Sequence, residues 1–132
     1  MDSEIVVPSG AMLIVEDQAA VRTQLRAYVQ MAWPEAQIAE AGDGEAALAA
    51  CASRTPNVVL MDIELPGVDG LTLTRTIRSL YPSTTVIVVS QHPASIHARL
   101  AVAAGAFAYV EKDRVAADLL PVMRRAITEA AQ

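Results

Sequence analysis

One residue in 132 is a cysteine, Cys51, so no disulfide can form within the chain. Its neighbours Ala46, Ala47, Ala49 and Ala50 mark it as a small buried side chain rather than a reactive thiol. Aromatic residues make up 4% of the chain, with one Trp and one Phe, so any core is built from aliphatic side chains. The hydrophobic fraction of 53%, much of it Ala and Val, is enough for one compact domain. No apolar run approaches the ~18–20 residues of a membrane helix. Met1-Asp2-Ser3-Glu4 is acidic, whereas a secretion signal begins basic. A cytoplasmic protein without a membrane segment is expected. A Lys/Arg-rich run is missing too, and the net charge is −5, so direct nucleic-acid binding by this chain is not expected. Lysine itself is scarce: nine arginines accompany a single Lys112.

What is present is an alternation of short apolar runs and helical patterns. Residues 1–10, ending in Pro8-Ser9-Gly10, read as a flexible N-terminal tail. Met12-Leu13-Ile14-Val15, Val58-Val59-Leu60-Met61 and Val86-Ile87-Val88-Val89 are continuous rather than alternating, the signature of strands buried on both faces. Gln37 to Ala41 and Phe107 to Glu111 are more polar and read as edge strands. Between them lie helical segments. The first is capped by Asp17 and carries Val21, Leu25 and Val29 at helical spacing. Trp33-Pro34 and Tyr81-Pro82 stop two of these helices. Asp43-Gly44 and Asp69-Gly70 start two, and Gly105 ends the one that begins after Pro93. The last helix is expected from about Ala117 to Ala130, with Pro121 close to its first turn. Five strands and five helices in strict alternation predict an α/β fold: a doubly wound five-stranded parallel sheet, order 2-1-3-4-5, flavodoxin-like.

Ligands of such folds bind beyond the carboxyl ends of the strands, at the switch between strands 1 and 3. Those ends carry Glu16-Asp17, Asp62, Ser90 and Glu111-Lys112. Crowded carboxylates must lose charge or take up a cation. Mg²⁺ accepts one or two carboxylates, keeps several waters and tolerates a phosphate. Asp17 and Asp62 are thus candidate direct ligands, with Glu16 acting through water. A cation there admits a phosphoryl group to an acidic site, where Asp62 can attack it and form an acyl phosphate. Lys112 would pair with one phosphoryl oxygen as a point charge and Ser90 would donate to another. Singly, each residue has a plainer reading: Asp17 a helix cap, Asp62 a turn residue, Ser90 loop polarity, Lys112 a solvated charge. Their coincidence at four strand ends that one topology brings together favours the site. His92 and His97 lack partners at metal-binding spacing and read as surface residues.

These segments resemble the receiver domain of bacterial two-component response regulators (CheY-like). The matching stretches are Leu13-Ile14-Val15-Glu16-Asp17, residues 58–70 from Val58 to Gly70, Val86 to Ser90, and Ala104 to Lys112. The resemblance covers nearly the whole chain and assigns residues 11–131 to a receiver domain. Lys112-Asp113, in place of Lys-Pro, is similar to the LuxR/NarL-type subfamily. The family implies a phosphoryl group passed to Asp62 from a phosphohistidine on a sensor histidine kinase or a phosphotransfer protein. It implies Mg²⁺ held by Asp17, Asp62 and the backbone carbonyl of Glu64, with Glu16 assisting. Ser90 and Lys112 would contact the phosphoryl group, and Tyr109 would rotate inward as Ser90 moves. That shifts a protein-interaction surface between two states. The chain would catalyse its own modification without being a turnover enzyme, and a homodimer is compatible with the family.

Two departures stand out. The acidic pair is Glu-Asp rather than the commoner Asp-Asp, and Gln91 follows Ser90 where the family usually has Ala or Gly. Gln91, with Glu64 and His92 at positions that tune phosphoryl lifetime in the family, predicts slow reaction with small phosphodonors and a long-lived phosphoryl state. A haloacid-dehalogenase-like phosphatase would need a second Asp and then a Thr where Glu64 and Pro66 stand. A receiver-like interaction module that works without phosphorylation is the remaining alternative, and the intact set of site residues weighs against it.

Overall fold

The computed structural model describes residues 10–130. The tail expected over 1–10 therefore lies outside the described residues, Gly10 apart. The strands are β1 (Ala11–Val15), β2 (Gln37–Ala41), β3 (Val58–Met61), β4 (Thr85–Ser90) and β5 (Ala108–Glu111). The helices are α1 (Ala19–Ala32), α2 (Gly44–Ser53), α3 (Gly70–Leu80), α4 (Ala94–Ala103) and α5 (Val115–Ala130), with a 3₁₀ turn over Lys112–Arg114. All strand pairs are parallel and the order is β2-β1-β3-β4-β5, as the apolar pattern predicts.

The continuous apolar runs end up buried on both faces because helices cover both faces. Met12, Ile14, Val58, Leu60, Ile87 and Val89 point to the layer of α1 and α5, against Leu25, Val29, Leu119 and Met123. Leu13, Val15, Val59, Met61 and Val86 point the other way, against Ala47, Cys51, Leu73 and Ile77 of α2 and α3. Cys51 is fully buried there, as its alanine neighbours suggest. A smaller cluster of Ile63, Val88, Ala101 and Ala106 seats α4. Period-two alternation along each central strand feeds these two layers, so a one-residue slip would exchange both cores at once.

Capping follows local chemistry at α2 and α3. Asp43 accepts from the Ala46 amide, and Asp69 accepts from the amides of Leu71 and Thr72. At α1 the expectation fails: the N-cap is Gln18, which makes no side-chain cap bond. Asp17 stays exposed, and the buried Glu16 accepts from the Gln18 amide through Oε2 at 3.0 Å. The extra methylene of Glu gives it that reach. At the other end of the chain, α5 starts at Val115 rather than near Ala117, so Pro121 is its seventh residue and lies beyond the first turn. A proline there forfeits the amide bond to the Ala117 carbonyl. Pro121 and Ala117 both face solvent. Water can serve the free carbonyl, while the buried stripe Val115, Leu119, Met123 and Ala126 holds the helix down.

Candidate functional site

Sheet register decides which side chains meet. Val15 pairs with Met61, Met61 with Val88, and Ser90 with Glu111, so the carboxyl ends of β1, β3, β4 and β5 finish side by side. The ladder runs one step past β1 and β3, with the Glu16 amide donating to Ala41 and the Asp62 amide to Val15. Glu16, Asp17, Asp62, Ser90 and Lys112, the residues expected at this edge, are all placed along it.

Carboxylate oxygens of Glu16, Asp17 and Asp62 lie within 4.8 Å of one another. Glu16 is 1% and Asp62 4% exposed, while Asp17 is open to solvent. Lys112 Nζ sits 2.9 Å from Glu16 Oε1 and 3.3 Å from Asp62 Oδ2. Three carboxylates against one ammonium leave net negative charge, and at Glu16 and Asp62 that charge is buried. The effect shows on Asp62: burial, then the Glu16 charge, pushes its carboxyl up to about 6, against the pull of Lys112 and the Glu64 amide. Burial also works against the Lys112 charge, but Glu16 and Asp62 outweigh it and hold the ammonium above its ordinary range. Glu16 Oε1 is buried and, despite the nearby ammonium, receives no aligned hydrogen bond. An oxygen lone pair in that condition, among hard oxygen donors, suits a small divalent cation. The residues present therefore fit Mg²⁺.

The loop after β4 is organised around His92. Its amide donates to the buried Ser90 hydroxyl at 3.1 Å, and its carbonyl accepts from the Tyr109 hydroxyl at 2.8 Å. Burial pushes the Tyr109 phenol up, the Ser90 hydroxyl pulls it down, and the charges of Glu111 and Asp62 add to the rise. Across the site, Glu64 Oε1 accepts from Gln91 Nε2 at 2.7 Å, and Glu64 Oε2 lies 3.0 Å from His92 Nε2. This bridge ties the loop bearing Asp62 to the loop bearing Ser90. The two histidines, expected as surface residues, are half-buried and lie against each other. Their rings stack at 4.6 Å, because α4 returns His97 over the loop that carries His92. Periodicity does not reveal such loop-to-helix meetings, and the bridge was foreshadowed only by the positions of Glu64, Gln91 and His92 around the strand ends.

Similarity to known proteins agrees with this geometry. Residues 12–124 match the family model described as the response regulator receiver domain. The chain is 33% identical over 116 residues to the transcriptional activator protein ExaE of Pseudomonas putida, covering 88% of this chain and 54% of that protein. It is 34% identical over 119 residues to the DNA-binding transcriptional regulator NtrC of Salmonella typhimurium, covering 90% of this chain and 25% of that protein. The chain thus spans about half of one curated relative and a quarter of the other. A crystal structure of a LuxR-family two-component response regulator from Aurantimonas sp. SI85-9A1 superposes with a TM-score of 0.84 at 30% identity, over 91% of this chain and 86% of that one. Among the described residues no helix is long and apolar enough to cross a membrane. Sheet order, the acidic strand-end crevice and a family match over most of the length converge, and the chain belongs to the receiver domains of two-component response regulators.

Proposed function

We propose that Asp62 accepts a phosphoryl group from a phosphohistidine on a sensor histidine kinase or phosphotransfer protein, with residues 11–131 as the receiver unit in the cytoplasm. The observation that carries this reading is the convergence of the Glu16 and Asp17 carboxylates and the Lys112 ammonium on Asp62 at the switch point of the sheet. Asp62 Oδ forms the new O–P bond as the P–N bond of the donor breaks, and the imidazole leaves with a proton. Glu16, Asp17, Asp62 and the backbone carbonyl of Glu64 would hold Mg²⁺, which supplies charge neutralisation for the transferring oxygens. Lys112 exchanges its contact with Asp62 for a phosphoryl oxygen, and the Ser90 hydroxyl donates to another. Ser90 already shares the His92 segment with Tyr109, so a movement of Ser90 is felt at the Tyr109 ring and on the surface around it. Intact-mass measurement after incubation with a phosphodonor tests the reading. The gain of one phosphoryl group is expected with Mg²⁺ and not with a chelator. Equal modification in both would remove the metal from the mechanism.

The Glu64–Gln91 bridge bears on rate. Gln91 is exposed and turned toward Glu64, so obstruction comes from the bridge between the two loops rather than from Gln91 pressing on Asp62. Slow modification by a small donor such as acetyl phosphate is expected, together with slow loss of the phosphoryl group. Gln91→Ala should speed both by about tenfold, the equivalent of ~1.4 kcal/mol and comparable to one hydrogen bond to a charged group. A time course of phosphorylated mass checks this. Fast small-donor reaction of the wild type, or rates unmoved by Gln91→Ala, would contradict it.

A further inference from the structure

We infer that Arg22 is a positioning residue for the cation-binding loop after β1, holding the Glu16-Asp17 peptide in the orientation that presents its carboxylates. This rests on the reading of Glu16 and Asp17 as Mg²⁺ ligands. Arg22 is the fourth residue of α1 and makes no hydrogen bond or ion pair with Asp62 or Lys112. Its Nη1 donates to the Glu16 carbonyl at 2.6 Å, and its Nε donates to Glu40 Oε1 at 2.9 Å. Glu40, near the end of β2, is held on its other oxygen by Arg26 Nη1 at 2.6 Å. Burial works against the Glu40 charge, yet the two guanidinium groups keep its carboxyl below its usual range.

The consequence is local to one peptide. The Glu16 amide donates to Ala41 and its carbonyl accepts from Arg22, so the backbone is gripped on both sides just where the strand ends. Gln18 makes no side-chain cap bond, and the one side-chain contact to its amide comes from Glu16 itself. Without Arg22 the Glu16 carbonyl is free to turn. The direction of the Asp17 side chain, which starts one residue later, turns with it. Arginine suits this task because its planar fork reaches two acceptors on different elements in one conformation, which a lysine ammonium on a flexible stem does not reproduce.

Charge and position make opposite predictions. Arg22 is a cation close to a cation-binding site, so on electrostatics alone its removal tightens Mg²⁺ binding. On positioning, removal weakens it. Mg²⁺ calorimetry on Arg22→Gln, Arg22→Lys and Arg26→Gln, with thermal unfolding in parallel, separates the two. Expected is about tenfold weaker Mg²⁺ binding for Arg22→Gln, with little recovery in Arg22→Lys. Arg26→Gln loses the other half of the same Glu40 contact and is expected to bind Mg²⁺ as well as wild type or slightly better. Should Arg22→Gln fail to fold, Arg22→Lys supplies the readout. It keeps the charge and loses the fork that reaches both Glu16 and Glu40, so charge alone leaves Mg²⁺ binding unchanged, whereas positioning weakens it by at least about threefold. Unchanged or tighter binding in a folded Arg22→Gln, or unchanged binding in Arg22→Lys where it stands in, would overturn the assignment, as would equal losses in Arg22→Gln and Arg26→Gln. A wild type that binds no Mg²⁺ overturns the metal reading itself, and is told apart by appearing before any substitution is made.

Discussion

Asp62→Asn is expected to gain no phosphoryl mass under conditions that modify the wild type fully, because an amide oxygen cannot replace the carboxylate as nucleophile. The same substitution has a second expected effect, of opposite sign, on stability. Without metal, burial and Glu16 raise the Asp62 carboxyl from 3.8 to about 6. The folded state therefore holds a proton that the unfolded chain has released. Stability from this group is fully present below about pH 4 and is lost as pH rises through about 6. In chelator the wild type should lose roughly 2–3 kcal/mol relative to Asp62→Asn between pH about 4 and 7. The variant should accordingly be the more stable of the two at neutral pH. Mg²⁺ then stabilises the wild type more than the variant, since a ligand of the folded state adds stability by mass action. Intact mass reads the first effect, and denaturant unfolding across pH reads the second. An Asn variant that still gains the phosphoryl mass would place the acceptor elsewhere. Parallel pH profiles would show that the carboxyl is not held in a raised state.

Gly70→Ala is expected to be the most damaging small substitution near the site. A Cβ there would stand 1.9 Å from the Asp62 carbonyl oxygen and 2.8 Å from both the Asp62 carbonyl carbon and the Ile63 Cα. All three are backbone atoms, so no rotamer change relieves the contact. The Gly70 amide also donates to the Ile63 carbonyl at 2.7 Å, which holds the start of α3 against the loop after β3. Accommodating a methyl group means moving the segment that presents Asp62. A loss of about 3 kcal/mol is expected, at the upper end for overpacking, with a fall of roughly 10 °C in Tm. Phosphorylation should fall in the molecules that remain folded. Gly67→Ala is the comparison: its φ of 86° favours glycine, but its Cβ would meet nothing within 4 Å. That variant carries only the backbone cost, roughly 1–2 kcal/mol. Thermal unfolding of the pair decides the point. A Gly70→Ala variant as stable as Gly67→Ala, or more so, would mean that the α3 start yields easily.

The legible part of the fold was the part governed by burial. Continuous runs such as Val58 to Met61 have one comfortable place, between two helical layers, and the sheet order followed from which runs were polar. The site was legible for the same reason, since Asp62 and Lys112 follow strands whose ends a single topology gathers. What was not legible depended on reach and approach. Asp17 looked like a cap by residue type, but Glu16, one methylene longer, took the Gln18 amide. Pro121 looked confined to a first turn, yet solvent on its side of α5 made an interior position tolerable. The closeness of Gly70 to the Asp62 backbone, and of Arg22 to the Glu16 carbonyl, joins segments 8 and 6 residues apart through space. One sequence carries no periodic signal for either.

Glu16 has one further consequence. Its carboxylate is divided: Oε2 secures the first turn of α1, and Oε1 faces the crevice. Any pull on it toward a cation is drawn against the Gln18 amide. If Glu16 takes up a cation as proposed, the beginning of α1 would report ion loading, and solvent hydrogen exchange at that amide would read it without a phosphoryl group ever being present.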